Sequence, residues 1–172
     1  VNPGTVVWIT GLPSAGKSTF AERVVRALGE RQVSVCLLDG DAVRSCLVPA
    51  LGFSPTERAA FYETLANLAA LIARQGLVVL VAATAHRREF REKARSVAPR
   101  FVEVWLDTPL AECTLRDAKG LYEAARAGLA PSVPGVDEAY EQPLEPDVVA
   151  HGGLDDAAVA SLVTSVLQSG VR

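Results

Sequence analysis

Short runs of Val, Ile and Leu alternate along this chain with longer segments in which apolar residues recur at helical spacing. Strands are predicted at 5–10, 33–39, 77–84, 101–107 and 147–150. Most are nearly continuous in apolar residues, as expected for parallel strands buried on both faces. Helices are predicted at 17–29, 41–48, 55–75, 87–97, 109–127 with a break, and 155–168. Ser54-Pro55-Thr56-Glu57 is a helix start: Ser54 caps, Pro55 suits the first turn and Glu57 completes a capping box. Strands alternating with helices predict an α/β fold, a five-stranded, mostly parallel sheet with helices on both faces. At 172 residues the chain suits one such domain, 1–172. One stretch breaks the rhythm: 117–146 carries four prolines, several glycines and no strand pattern. A connection of that length in a compact domain is commonly a lid.

Composition removes several function classes. No run reaches the ~18 apolar residues of a membrane span. The chain enters its first strand without a basic leader, so it reads as cytoplasmic, although it starts at Val1 and the true start can lie outside it. A net charge of −3 without basic clusters argues against nucleic-acid binding. Cys36, Cys46 and Cys113 have neither disulfide-like nor zinc-like spacing. Cys36, Trp8 and Trp105 fall within strands and read as core.

The chemistry begins at 11–18. Gly11-Leu12-Pro13-Ser14-Ala15-Gly16-Lys17-Ser18 fits GxxxxGK[ST] and lies between the first strand and the first helix, where a P-loop belongs. Its glycines let backbone N–H groups turn inward to cradle phosphate at a helix N-terminus. Lys17 reaches the β- and γ-phosphates of ATP, and the Ser18 hydroxyl suits Mg²⁺. A GTPase is disfavoured: neither Asn2 nor Asn67 begins a guanine-reading NKxD motif. The third strand ends Val81-Ala82-Ala83-Thr84, without the acidic residue of a Walker B motif. Something else must hold the cation.

Asp39 and Asp41 supply candidates. They close the second strand and open a helix, at the sheet edge where open α/β folds bind ligands. One can order water around Mg²⁺ while the other takes a proton from the acceptor hydroxyl. Asp41 is the preferred base, although the two can exchange roles. The competing reading is that either one only caps the helix. Arg44 follows one turn on.

At this point the chain resembles the adenylyl-sulfate kinase (APS kinase) family of P-loop kinases. The resemblance rests on GLPSAGKST (11–19), LDGDAVR (38–44), LGFSPTER (51–58), FVEVWLDTPLAEC (101–113), RDAKGLYEAARAG (116–128) and PGVDEAYEQP (134–143). It implies phosphorylation of the 3′-hydroxyl of adenosine 5′-phosphosulfate (APS) by ATP to give PAPS, within sulfate assimilation. It extends the nucleotide loop to Thr19 and surrounds the acceptor with Arg44, Phe53 and Arg58. It makes Lys119 part of a mobile lid and gives Arg116, at the lid base, phosphate charge to steady. Homodimers are common in the resembling family, so a homodimer is an expectation of the resemblance alone.

The acceptor side departs from the family pattern. Where an asparagine and paired arginines are expected after Arg58, the chain reads Ala59-Ala60-Phe61-Tyr62-Glu63-Thr64. A Phe-Ile-Ser-Pro segment is replaced by Ala83-Thr84-Ala85-His86, without its serine. The lid aromatic that would stack on the acceptor adenine corresponds to Val133, which leaves Phe53 without its partner. Stacking on one aromatic contributes ~1–3 kcal/mol per base, so the acceptor half is the altered half. His86 is read either as a functional group, contacting an acceptor phosphate or acting in proton transfer, or as a surface residue at a helix start; His151 is assigned no role. Two alternatives to APS phosphorylation follow. One is a kinase of this family with another nucleotide-linked or small acceptor. The other is a silent nucleotide-binding module that partners a sulfurylase, disfavoured because Lys17, Ser18, Asp39 and Asp41 are all present.

Overall fold

The computed structural model describes residues 3–130 and 132–170; Val1, Asn2, Pro131, Val171 and Arg172 lie outside the described residues. Five strands form one sheet: β1 (Val6–Thr10), β2 (Val35–Asp39), β3 (Val78–Ala82), β4 (Phe101–Leu106) and β5 (Val148–Ala150). The order is β2-β3-β1-β4-β5 and each pairing is parallel. The helices are α1 (Lys17–Gly29), α2 (Gly40–Ser45), α3 (Pro55–Ala73), α4 (Arg88–Val97), α5 (Leu110–Arg116), α6 (Leu121–Arg126) and α7 (Asp156–Gly170). This is the expected α/β P-loop fold.

Two apolar layers sandwich the sheet. One packs α1 and α7 through Phe20, Leu28 and Leu162, and the other packs α3 and α4 through Phe61, Leu65 and Phe90. β1 and β3 are buried along their whole length, as their unbroken apolar runs predict. β2 is not, because it is the sheet edge: Leu37 is exposed and Cys36 only half-buried, which corrects the expectation of a fully buried strand. Trp8 is fully buried, whereas Trp105 is half-buried on β4. The capping box forms, with Ser54 accepting from the Glu57 N–H and Glu57 accepting from Ser54. α2 stops at Ser45, and residues 46–54 form a loop instead of extending the helix to 48.

Segment 117–146 holds α6 and then a chain without strands, braced at both ends. At its start, Asp117 accepts from the N–H groups of Tyr122 and Glu123, and the Tyr122 hydroxyl donates to Pro13 O at 2.9 Å. At its end, Arg91 donates to Glu141 O and to the Glu103 carboxylate, and Glu141 accepts from the Arg88 N–H. Arg91 and Glu103 are both buried, and Arg95 also pairs with Glu103, so the charges are mutually compensated.

Candidate active site

A cleft of about 890 Å³ opens at the carboxyl ends of the strands. Its floor is the loop between β1 and α1. Gly16 has φ +100°, and a Cβ there would stand 2.7 Å from Gly153 N, so this position needs glycine for its dihedral and for its space. The loop is fastened by side chains from later in the chain: Thr108 Oγ1 donates to Ala15 O at 2.9 Å, and Arg116 reaches the same oxygen. Lys17 Nζ donates to Gly11 O and Leu12 O at 2.9 and 2.7 Å. Burial and the neighbouring Lys119 push the Lys17 ammonium down to about 7. The negative charge of an incoming polyphosphate acts in the opposite direction, because it favours the charged ammonium.

Ser18 Oγ donates to Asp39 Oδ2 at 2.7 Å, while Asp39 Oδ1 accepts from the Asp41 and Ala42 N–H groups. Asp39 therefore caps α2 and still presents an oxygen to the phosphate loop. The two readings of this residue are compatible. Asp41 Oδ2 pairs with Lys119 from the turn between α5 and α6. Segment 117–146 thus lays its cation directly across the cleft.

The opposite wall is built by the loop before α3 and by α3 itself. Glu57 accepts from Gly52 N at 2.9 Å, and Arg44 Nη1 donates to Gly52 O at 2.7 Å, which shapes the turn that presents Phe53. Arg58 Nε donates to Phe53 O, and its Nη2 donates to Ser132 O at 2.5 Å. Phe53 is 58% exposed, with the Arg44 and Arg58 guanidinium carbons 4.6 and 5.5 Å from its ring centroid. These cations flank Phe53, but no aromatic ring pairs with it among the described residues. Val133 does line the cleft, as a buried aliphatic side chain.

Most predicted site residues therefore converge. Ser14, Gly16, Lys17, Ser18, Thr19 and Arg116 line one half of the cleft, and Arg44, Phe53 and Arg58 the other. Asp39, Asp41 and Lys119 also border it. Gly11 and Ala15 do not: Ala15 is buried, and a Cβ on Gly11 would meet Leu106 O at 3.0 Å, so both act through packing.

Six of the altered positions lie away from the cleft, exposed Ala59 and Ala60 among them. Glu63 pairs with Lys93 at 3.2 Å on the outer face of α3, and exposed Thr64 bonds its own helix. Ala85 is buried in the core beneath. His86 is neither a surface residue nor a cleft residue: it is 1% exposed, with Nε2 3.2 Å from Glu138 and Nδ1 without a hydrogen-bond partner. Its ring meets Phe90 of α4 edge-on at 5.5 Å, inside the layer that α3 and α4 form with the sheet. What remains altered at the cleft is Phe61, Tyr62, Ala83, Thr84 and Val133, largely apolar surface.

Sequence reasoning missed the turn after β5. His151, Gly152, Gly153 and Leu154 line the cleft beside Arg116. The signal was present in the paired glycines after a strand, which mark close backbone approach.

The donor set also suits a divalent cation. Ser18 and Asp39 offer hard oxygen ligands 2.7 Å apart at the phosphate loop. Among the described residues no group of three or more His, Cys, Asp or Glu could hold a metal. Mg²⁺ is commonly held by one or two protein oxygens together with substrate phosphates and water, and this oxygen pair has that chemistry. No helix among the described residues is long and apolar enough to cross a membrane.

Comparison with known proteins agrees with this geometry. An adenylyl-sulfate kinase of Gloeothece citriformis is 42% identical over 153 residues, 89% of this chain and 87% of its own length. One from Yersinia pestis is 42% identical over 166 residues, covering 95% of this chain and 76% of its own. The Mycobacterium tuberculosis APS kinase, solved in complex with AMPPNP and APS, superposes with a TM-score of 0.87 at 40% identity, covering 96% of this chain and 98% of that one. The family model for adenylylsulphate kinase matches residues 3–151, and the chain belongs to that family.

Proposed function

We propose that this chain transfers the γ-phosphoryl group of ATP to the 3′-hydroxyl of APS, giving ADP and PAPS. The observation that carries the reading is the convergence, on one cleft, of a phosphate loop with Lys17 and Ser18, an acidic pair, and a wall formed by Arg44, Phe53 and Arg58. Relatives curated as adenylyl-sulfate kinases support the same reading.

In this mechanism the P-loop amides and Lys17 hold the ATP phosphates, and Arg116 closes the seam between that loop and the turn after β5. Ser18 and Asp39 would hold Mg²⁺, which when bound neutralises phosphate charge. The acceptor lies toward Arg44 and Phe53, with its 3′-oxygen aimed at the γ-phosphorus. Asp41 accepts the hydroxyl proton as the new P–O bond forms and the bond to the β,γ-bridging oxygen breaks. Lys119 exchanges its contact with Asp41 for the phosphate charge that develops, as segment 117–146 acts as a lid and excludes water. Phosphoryl transfer depends on such positioning more than on covalent chemistry.

ADP release with ATP and Mg²⁺, with and without APS, tests the reading. The expected result is APS-dependent turnover that disappears in Lys17→Ala and falls by about 10²–10⁴-fold in Asp41→Asn, as for loss of a general base. ATP binding without any response to APS would overturn the acceptor assignment and point to another small acceptor. Unchanged turnover in Asp41→Asn would remove Asp41 as the base.

A further inference from the structure

Arg44 is the cation that α2 contributes to the acceptor wall, and its placement depends on more than its own helix. Its guanidinium carbon lies 3.8 Å from the ring centroid of Phe61, closer than the 4.6 Å to Phe53. Its Nη1 is committed to Gly52 O and Leu51 O. Phe61 sits on α3 one turn after Arg58, 2% exposed, and contributes to the cleft wall. It is itself braced: its ring meets Tyr62 edge-on at 5.2 Å, Tyr62 stacks on Phe90 at 4.6 Å, and the Tyr62 hydroxyl accepts from Ala85 N at 3.0 Å. A rigid aromatic ladder therefore runs from α4 through α3 to the face of one arginine in the cleft.

We infer that Phe61 is a positioning residue for the acceptor: its ring holds the Arg44 guanidinium in place, so that Arg44 and Phe53 meet the anionic nucleotide as one preformed surface. Arginine carries high rotamer entropy, and a fixed partner lowers what must be lost when the ligand arrives. A ring does this where an aliphatic group of similar size does not, because the π face attracts the cation and the contact strengthens as water is removed. A Phe61 that only filled the core would be served equally well by leucine. The inference rests on the APS reading above and assigns the acceptor half one further determinant.

The test is steady-state kinetics of the full chain, with wild type, Phe61→Leu, Phe61→Tyr, Arg44→Gln and the double variant Phe61→Leu/Arg44→Gln. Phe61→Leu is expected to raise KM for APS roughly tenfold, in line with a desolvated cation–π contact, and to leave KM for ATP and kcat within about twofold of wild type. Phe61→Tyr, which keeps the ring, should restore most of the APS affinity. In the Arg44→Gln background the Phe61→Leu effect should largely vanish, because the two residues act as a unit.

Equal increases in both KM values, no change in KM for APS, or full additivity with Arg44→Gln would each overturn the inference while leaving the APS reading intact. If Phe61→Leu does not fold, Phe61→Met serves the same comparison, since it keeps apolar volume without a ring. Wild-type protein that binds ATP but does not turn over APS would overturn the APS reading, and this inference with it.

Discussion

Asp39 uses both carboxylate oxygens, one on the α2 N-terminus and one on Ser18. Sequence reasoning treats capping and chemistry as rivals, but a carboxylate has enough acceptor sites for both. Asp41, one peptide unit past Gly40, makes no cap contact through its side chain and is available to Lys119. His86 shows how the surroundings of a residue decide its charge. Burial, with Arg58 adding to it, holds the His86 imidazole below its usual 6.5, and Arg87 acts in the same direction while Glu138 opposes them. Because the folded-state pKa is lowered, the unfolded chain takes up this proton first. Stability present above about pH 6.5 is therefore lost as pH falls toward the folded value. The melting temperature should drop as pH is lowered below about 6.5, and the drop should be smaller in His86→Phe; differential scanning fluorimetry across a descending pH series checks it.

At the scale of elements, α3 supplies both stability and half of the acceptor wall, and its N-terminal box connects the two. The Glu57 carboxylate accepts from Ser54 and also from Gly52 in the turn that presents Phe53. Ser54→Ala should cost about 1 kcal/mol, the usual loss for an N-cap, read as a lower urea midpoint with an unchanged slope. The box itself was legible, because Ser-Pro-Thr-Glu before an apolar run is a local code. The fate of Glu63 and Thr64 was not. Positions 61 to 64 span one helical turn, so two of them face inward and two face out, and their facing depends on where α3 docks. Motif alignment treats these four positions as one block, whereas the helix divides them.

Across the whole molecule, the cleft is assembled from segments far apart in the chain. The turn after β5 touches the phosphate loop more than 130 residues away: a Cβ on Gly153 would stand 2.7 Å from Gly16 O and 3.0 Å from Thr19 Cβ. Gly153→Ala must therefore push on the P-loop backbone, a strain of about 1–3 kcal/mol where neither side gives way. ATP affinity should fall about tenfold, measured by titration calorimetry, with KM for APS little changed. An unaltered ATP affinity would mean that this turn yields freely.

The sequence by itself determined the strand and helix order, the P-loop and its role, the α3 cap and the acidic pair, because each is written in neighbouring residues whose spacing matches a local geometry. The structural layout decided what depends on long-range packing. It made β2 an edge strand, buried His86, turned Glu63 toward Lys93, and brought His151–Leu154 to the cleft. It also set Arg44 against Phe61, two residues whose side chains meet only because α2 and α3 pack on the same face of the sheet. Local spacing sets backbone conformation, but which side chains meet across elements is set by the sheet order and by how each helix docks on it.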